Sequence, residues 1–191
     1  MMKRDQALRV LARHYSDGIV VPVYQTAFDW MSIRPHPLNF LCTGAMGQAS
    51  SHGLGLALGA PNEKVVVLDG DGSLLMNLSS LVTIANLAPR NLIHIVINNG
   101  VYEVNGNFPI PGNKVLSFEG LAREAGYEKV FGFSELEIFE SKIEEILYTQ
   151  GPVFVCLKAE IGDSYPKDYV AIHSAKSRQI FREALHNKLF R

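Results

Sequence analysis

Two glycine turns near the middle of the chain carry oxygen donors of the kind that hold a hard metal ion. Asp71 stands in Gly70-Asp71-Gly72-Ser73, and Asn98-Asn99-Gly100-Val101 follows after a short interval. Magnesium selects a carboxylate, an amide oxygen and the open carbonyls of a turn, and it usually keeps phosphate oxygens among its ligands. The amide groups of Gly72, Ser73 and Leu74, at the start of a predicted helix, favour an anion such as a diphosphate. Gly-Asp-Gly alone is an ordinary turn, since both residue types are common turn formers. Two such turns brought to one place would make a diphosphate-metal site.

The elements around them predict that they do meet. Residues 65–68 are an uninterrupted apolar run, which suits a strand buried on both faces, and the run stops at Asp69-Gly70-Asp71-Gly72. From Ser73 the apolar residues Leu74, Leu75, Leu78, Leu81, Val82, Ile84 and Ala85 recur at helical spacing until Pro89 ends the pattern. A second apolar run, 92–97, follows. Strand, helix and strand in this order form a crossover with parallel strands, so Asp71 and the Asn98-Asn99 pair both emerge at the carboxyl edge of one sheet.

Paired in this way, Gly70-Asp71-Gly72 and Asn98-Asn99-Gly100 resemble the thiamine diphosphate signature. The resemblance implies magnesium held by Asp71, Asn99 and the backbone carbonyl of Val101, with Gly70, Gly72 and Ser73 at the diphosphate. Gly44-Ala45-Met46-Gly47 looks like the pyrimidine-binding element of the same family. There the Gly44 carbonyl would accept a bond from the cofactor's 4′-amino group, and Met46 would lie beneath the bent cofactor, a wedge that an unbranched, polarisable side chain can fill. Gln25 and Thr26, in a first βα turn written Tyr24-Gln25-Thr26, are candidates for the diphosphate, although Thr26 reads equally well as the cap of a helix over 27–32. Tyr102 opens a loop-rich segment, 101–109, that would order around the cofactor. Glu103 beside it reads as a solvated loop charge, with a substrate-side role as the alternative.

The runs LGLALG, GDGSLLMNL and NNGVYE look most like sulfopyruvate decarboxylase beta subunits and phosphonopyruvate decarboxylase. Asn98, where such proteins often carry Asp, leaves the substrate open. The implied activity is non-oxidative decarboxylation of a short 2-oxo acid with an anionic tail. No catalytic side chain is assigned, because the resemblance implies that the activating Glu comes from a separate pyrimidine-binding domain across an interface; with only one α/β layer of sequence here, that domain is expected on a partner (alpha) subunit, and the working enzyme would be a hetero-oligomer. An acetolactate synthase-like carboligase subunit and a non-catalytic cofactor-binding partner subunit are the alternative readings.

The rest of the chain fits a single cofactor domain over 1–191. With 191 residues, 47% of them hydrophobic, there is material for one good core. A formal net charge of −1 without a basic stripe argues against nucleic acid. The opening MMKRDQALRVLARHY has no apolar leader, and no run approaches the roughly 20 apolar residues of a membrane span, so a cytoplasmic protein is expected. Cys42 and Cys156 read as two buried, reduced thiols, and the histidines show no ligand spacing. Further strands are predicted at 19–23, 39–43, 129–131 and 152–159, with helices near 7–15, 118–125, 135–148 and 174–190. The helix after Met46 is rich in small residues (Ala49, Gly53, Gly55, Ala57, Gly59, Ala60), which weakens it intrinsically and permits close packing, including against another subunit. His52 on that helix reads as a hydrogen-bonded packing residue. The expected fold is α/β, a single doubly wound domain with a mostly parallel sheet of about six strands flanked by helices.

Overall fold

A computed structural model of the chain describes residues 2–41, 44–163 and 165–190. In chain order the elements are β1 (Met2–Lys3), α1 (Arg4–His14), β2 (Ile19–Pro22), α2 (Tyr24–Ile33), α3 (Ala49–Gly59), β3 (Val65–Gly70), α4 (Asp71–Leu75), α5 (Ser79–Leu87) and β4 (Leu92–Asn98). Next come β5 (Val101–Tyr102), a 3-10 turn, β6 (Phe108–Pro109), α6 (Phe118–Ala125), β7 (Lys129–Phe133), α7 (Leu136–Tyr148), β8 (Val153–Glu160), α8 (Tyr169–His173) and α9 (Ala175–Leu189).

Six strands form one sheet in the order β1-β8-β4-β3-β2, with β7 also paired to β8, and every pairing in it is parallel. The apolar runs read from the sequence are its central strands, and their alternation explains the layers. Val66, Leu68, Ile93, Ile95, Val155 and Leu157 point into a core closed by α1 and α7. Val65, Val67, Leu92, Val96, Phe154 and Cys156 point the other way, towards α3, α5, α6 and Phe181 of α9. Strands covered on both faces must be apolar at every position, which is the pattern seen. The doubly wound fold expected from the sequence is the one observed.

Three local expectations change. The strand predicted at 39–43 reduces to a single bridge, Val20 to Asn39, and Cys42 and Thr43 lie outside the described residues. Asn39 is occupied elsewhere: its amide oxygen accepts from Trp30 Nε1 at 2.9 Å and from Arg34, and its amide nitrogen donates to the Arg34 carbonyl. The single helix expected from Ser73 to Ala85 is two helices, α4 and α5, parted at Met76, Asn77 and Leu78. Asn77 pins the break, since its amide reaches the Gly47 carbonyl at 2.8 Å and its oxygen accepts from Ser79 Oγ at 3.0 Å. The segment after Val101 is a small hairpin, β5 against β6, closed through Gly106 (φ +91) and Asn107 (φ +63). Among the described residues, no helix is long and apolar enough to cross a membrane.

Candidate cofactor site

The carboxyl ends of β2, β3 and β4 open into a cleft, and the two glycine turns meet there. Asp71 is the first residue of α4, and its Oδ2 accepts the Gly100 amide at 2.6 Å, so one hydrogen bond ties the end of β3 to the end of β4. Gly100 can turn its N–H back in this way because its φ is +78, a conformation that a residue with a Cβ rarely takes. Oδ1 of Asp71 accepts from Gly72 N at 2.7 Å. Burial pushes the Asp71 carboxyl up to about 6, against the opposing pull of the Gly100 and Gly72 amides. A buried carboxylate served only by amide hydrogens is an environment that a nearby cation would stabilise.

Ten of the eleven residues predicted to hold the cofactor line the cleft: Gln25, Thr26, Met46, Gly70, Asp71, Gly72, Ser73, Asn99, Val101 and Tyr102. Gly44 is the exception. A Cβ built on it would lie 2.2 Å from Cε1 of His173, so the short helix α8 presses its last side chain onto that glycine. Met46 reaches the cleft because the loop behind it is fixed, with Gly47 N donating to Ser73 Oγ at 2.9 Å. Gly72 admits no side chain either, as its Cβ would meet the Tyr102 ring at 2.5 Å.

Thr26 is not a cap. Helix α2 begins at Tyr24, three residues earlier than expected, and the Thr26 hydroxyl lies 2.6 Å from the Val23 carbonyl and 3.0 Å from that of Leu68. Tyr24 itself has φ +43, a strained conformation for an aromatic residue, at the rim of the cleft. Asn98, next to Asn99, points to the opposite face, beside the thiol of Cys156. Burial, chiefly, raises that thiol to about 12, so it is an inert core group as expected.

Other residues of the site escaped sequence reasoning. Arg4, 2% exposed, lines the cleft from the start of α1, and its guanidinium bridges Asp29 of α2 and Glu103. Glu103 is therefore no solvated loop charge: it is 15% exposed, forks onto Arg4 through both oxygens and accepts from Asn99 Nδ2 at 3.2 Å. Burial acts to lower the Arg4 pKa, but the bonds and charges of Glu103 and Asp29 prevail and raise it. Beneath the site, fully buried His94 and Asp69 approach to 3.2 Å on the α5 and α6 side of the sheet. His52 packs its ring 5.2 Å from Phe40 as a packing residue, yet its Nδ1 is buried without a hydrogen-bond partner among the described residues, unlike the bonded role expected.

A parallel doubly wound sheet with an acidic turn and an asparagine turn joined at its carboxyl edge defines an α/β cofactor-binding domain. Comparison with known proteins gives the family. Residues 23–157 match the thiamine pyrophosphate enzyme, C-terminal TPP binding domain model, and the chain belongs to that family. It is 35% identical over 165 residues to the sulfopyruvate decarboxylase subunit beta of Methanothermobacter thermautotrophicus, covering 86% of this chain and 85% of that one. With the corresponding subunit of Methanocaldococcus jannaschii it shares 42% identity over 115 residues, 60% of each chain. A phosphonopyruvate decarboxylase of Streptomyces viridochromogenes is 36% identical over 159 residues, 81% of this chain but 38% of its own length. The chain thus spans less than two fifths of the phosphonopyruvate decarboxylases it matches. The fold also matches the X-ray structure of a protein from Mycobacterium smegmatis described as thiamin diphosphate-dependent. Its TM-score is 0.70 at 22% identity, over 85% of this chain and 32% of that one. The resemblance read from the motifs is borne out.

Proposed function

We propose that this chain is the thiamine diphosphate- and magnesium-binding subunit of a decarboxylase for a short 2-oxo acid with an anionic tail, one that works with a separate pyrimidine-binding subunit. The observation that carries this reading is the Asp71 to Gly100 bond, which sets a buried carboxylate beside Asn99 in the cleft that also holds Gln25 and Met46.

The residues present fit the absent groups. Among the described residues no cluster of three or more His, Cys, Asp or Glu could hold a metal. Asp71, Asn99 and the Val101 carbonyl instead make a sparse, all-oxygen donor set, which suits magnesium when phosphate oxygens complete its shell. Gln25 Oε1 is buried without a partner among the described residues, a polar atom in the cleft wall that awaits one. In this reading Asp71, Asn99 and Val101 hold the ion, and Gln25, Thr26, Gly70, Gly72, Ser73 and Tyr102 line the diphosphate. Gly44 and Met46 serve the pyrimidine end. When bound, the cofactor supplies the electron sink for carbon–carbon cleavage. The protein's part is to bind it, orient it and keep water from it.

Several features support the division of labour. The relatives from Methanothermobacter and Methanocaldococcus are named beta subunits of sulfopyruvate decarboxylase. Among the described residues, nothing lies within 4 Å of a Cβ position at Gly55 or Gly59 on α3, and Leu58 between them is exposed, so this face can receive a neighbouring helix. We take 1–191 as one domain, since β1 and β8 pair in the same sheet and Phe181 of α9 enters the core. A cytoplasmic setting agrees with a buried free thiol at Cys156.

The test is to purify the chain, titrate it with thiamine diphosphate and magnesium in a calorimeter, and screen 2-oxo acids with and without a co-expressed pyrimidine-domain subunit. Binding that depends on magnesium, with an aldehyde released only in the presence of the partner, is expected. Condensation products alone would mark a carboligase, and binding without turnover under either condition would mark a non-catalytic subunit. Each result would overturn the proposal.

A further inference from the structure

The magnesium site proposed above needs Asn99 to present its oxygen rather than its nitrogen, and an amide side chain does not choose between them by itself. The structure makes the choice through a chain of contacts that begins near the amino terminus, outside the matched residues 23–157. Asp29, fully buried, accepts from Arg4 Nε at 2.5 Å. The other two guanidinium nitrogens of Arg4 fork onto the carboxylate of Glu103, one of them onto Oε1 at 3.3 Å. Glu103 Oε2 in turn accepts from Asn99 Nδ2 at 3.2 Å. A carboxylate can only accept, so the Asn99 nitrogen must face Glu103. The Asn99 oxygen is left at the turn, where it already accepts from Val101 N at 3.0 Å and keeps a second lone pair.

We infer that Arg4 and Glu103 are positioning residues for the metal site. Resting on the cofactor reading above, they fix the Asn99 amide so that its oxygen faces the ion. The alternative, a plain structural ion pair, accounts poorly for the arrangement. Burying a guanidinium with two carboxylates costs more desolvation than an apolar contact would, and α1 already has an apolar face of Ala7, Leu8, Val10 and Leu11.

The experiment measures magnesium affinity of the full chain at saturating thiamine diphosphate by calorimetry, with melting of the cofactor-free protein followed alongside. Glu103→Ala and Arg4→Met each raise the magnesium Kd by roughly 10- to 100-fold, the usual effect of losing an outer partner of a metal ligand. Because Arg4 acts through Glu103, the double variant is no weaker than Glu103→Ala alone. The decisive arm uses Asn99→Asp, which presents oxygen whichever way it turns: in that background Glu103→Ala costs no magnesium affinity. Should Arg4→Met fail to fold, the Glu103 and Asn99 variants carry the test by themselves. Wild-type protein that binds the cofactor without magnesium overturns the site and this inference together. Magnesium-dependent wild-type binding with Glu103→Ala within twofold of it, or an equal loss in the Asn99→Asp background, overturns this inference alone.

Discussion

Asp71 is 3% exposed and meets amide hydrogens from Gly72 and Gly100, an environment that the magnesium ion proposed above would complete. Asp71→Ala and Asn99→Ala should each remove an oxygen from a near-octahedral shell with little slack, cutting magnesium-dependent cofactor affinity by about 100-fold or more in calorimetry. Asn98→Ala is the control, and its affinity should stay within a few-fold of wild type, because that side chain lies across the strand beside Cys156. Met46→Ala should leave diphosphate binding nearly intact while lowering turnover of the complex, since its role is to position. His52 yields a pH effect. Burial lowers its pKa below the unfolded value, so the stability tied to its neutral form is present above about pH 6.5 and is lost as pH falls through the folded value. His52→Leu should therefore melt with a weaker loss between pH 7.5 and 5 than wild type, read by thermal denaturation. Asp71 and Asn99 were legible in the sequence because each sits in a turn that ends an apolar run. Arg4 and Glu103 were not, because their partners lie 25 and 99 residues away, and a charge with no local pattern looks solvated.

Helix α3 shows what the small residues do. Gly53 lies against β3, and a Cβ there would come within 2.2 Å of Val67 Cγ2, a side chain buried on the sheet and unable to retreat. Gly53→Ala gains up to about 1 kcal/mol of helix propensity but should lose roughly 1–3 kcal/mol to overpacking, for a net fall in chemical-denaturation stability. In the double variant Gly53→Ala/Val67→Ala the two losses should be less than additive, since the second change vacates the space claimed by the first. Ala88 closes α5 in the left-handed conformation at φ +45, so Ala88→Gly should raise stability by about 1 kcal/mol in the same measurement. The strands and α5 were legible from periodicity. The break between α4 and α5 was not, because the helical spacing of Leu75, Leu78 and Leu81 runs straight through it while Asn77 answers to a distant Gly47. The β5-β6 hairpin was hidden for a related reason, being two residues on each strand.

For the molecule as a whole, the alternation of two apolar faces along uninterrupted strands made the doubly wound sheet readable, while the position of β1 was not, since two residues carry no period. On the proposed division of labour, the chain expressed alone should show about 1% or less of the complex's decarboxylase turnover, because among the described residues the acids lining its cleft are already engaged, Asp71 by the Gly72 and Gly100 amides and Glu103 by Arg4 and Asn99. A coupled aldehyde assay with and without the partner checks this. The attachment of β1 to the far end of β8, Met2 opposite Ala159 and Lys3 opposite Glu160, sets an order of events during synthesis. Arg4 follows directly on β1, the first strand in chain order, yet the strand that seats it, β8, is the last of the sheet. Nascent chains shorter than β8 have the metal-binding turns but no anchored clamp on Glu103, and such long-range pairings are slow to form. The Arg4 clamp on Glu103 can therefore close only after β8 is in place, later than the turns at Asp71 and Asn99 that precede it in the chain.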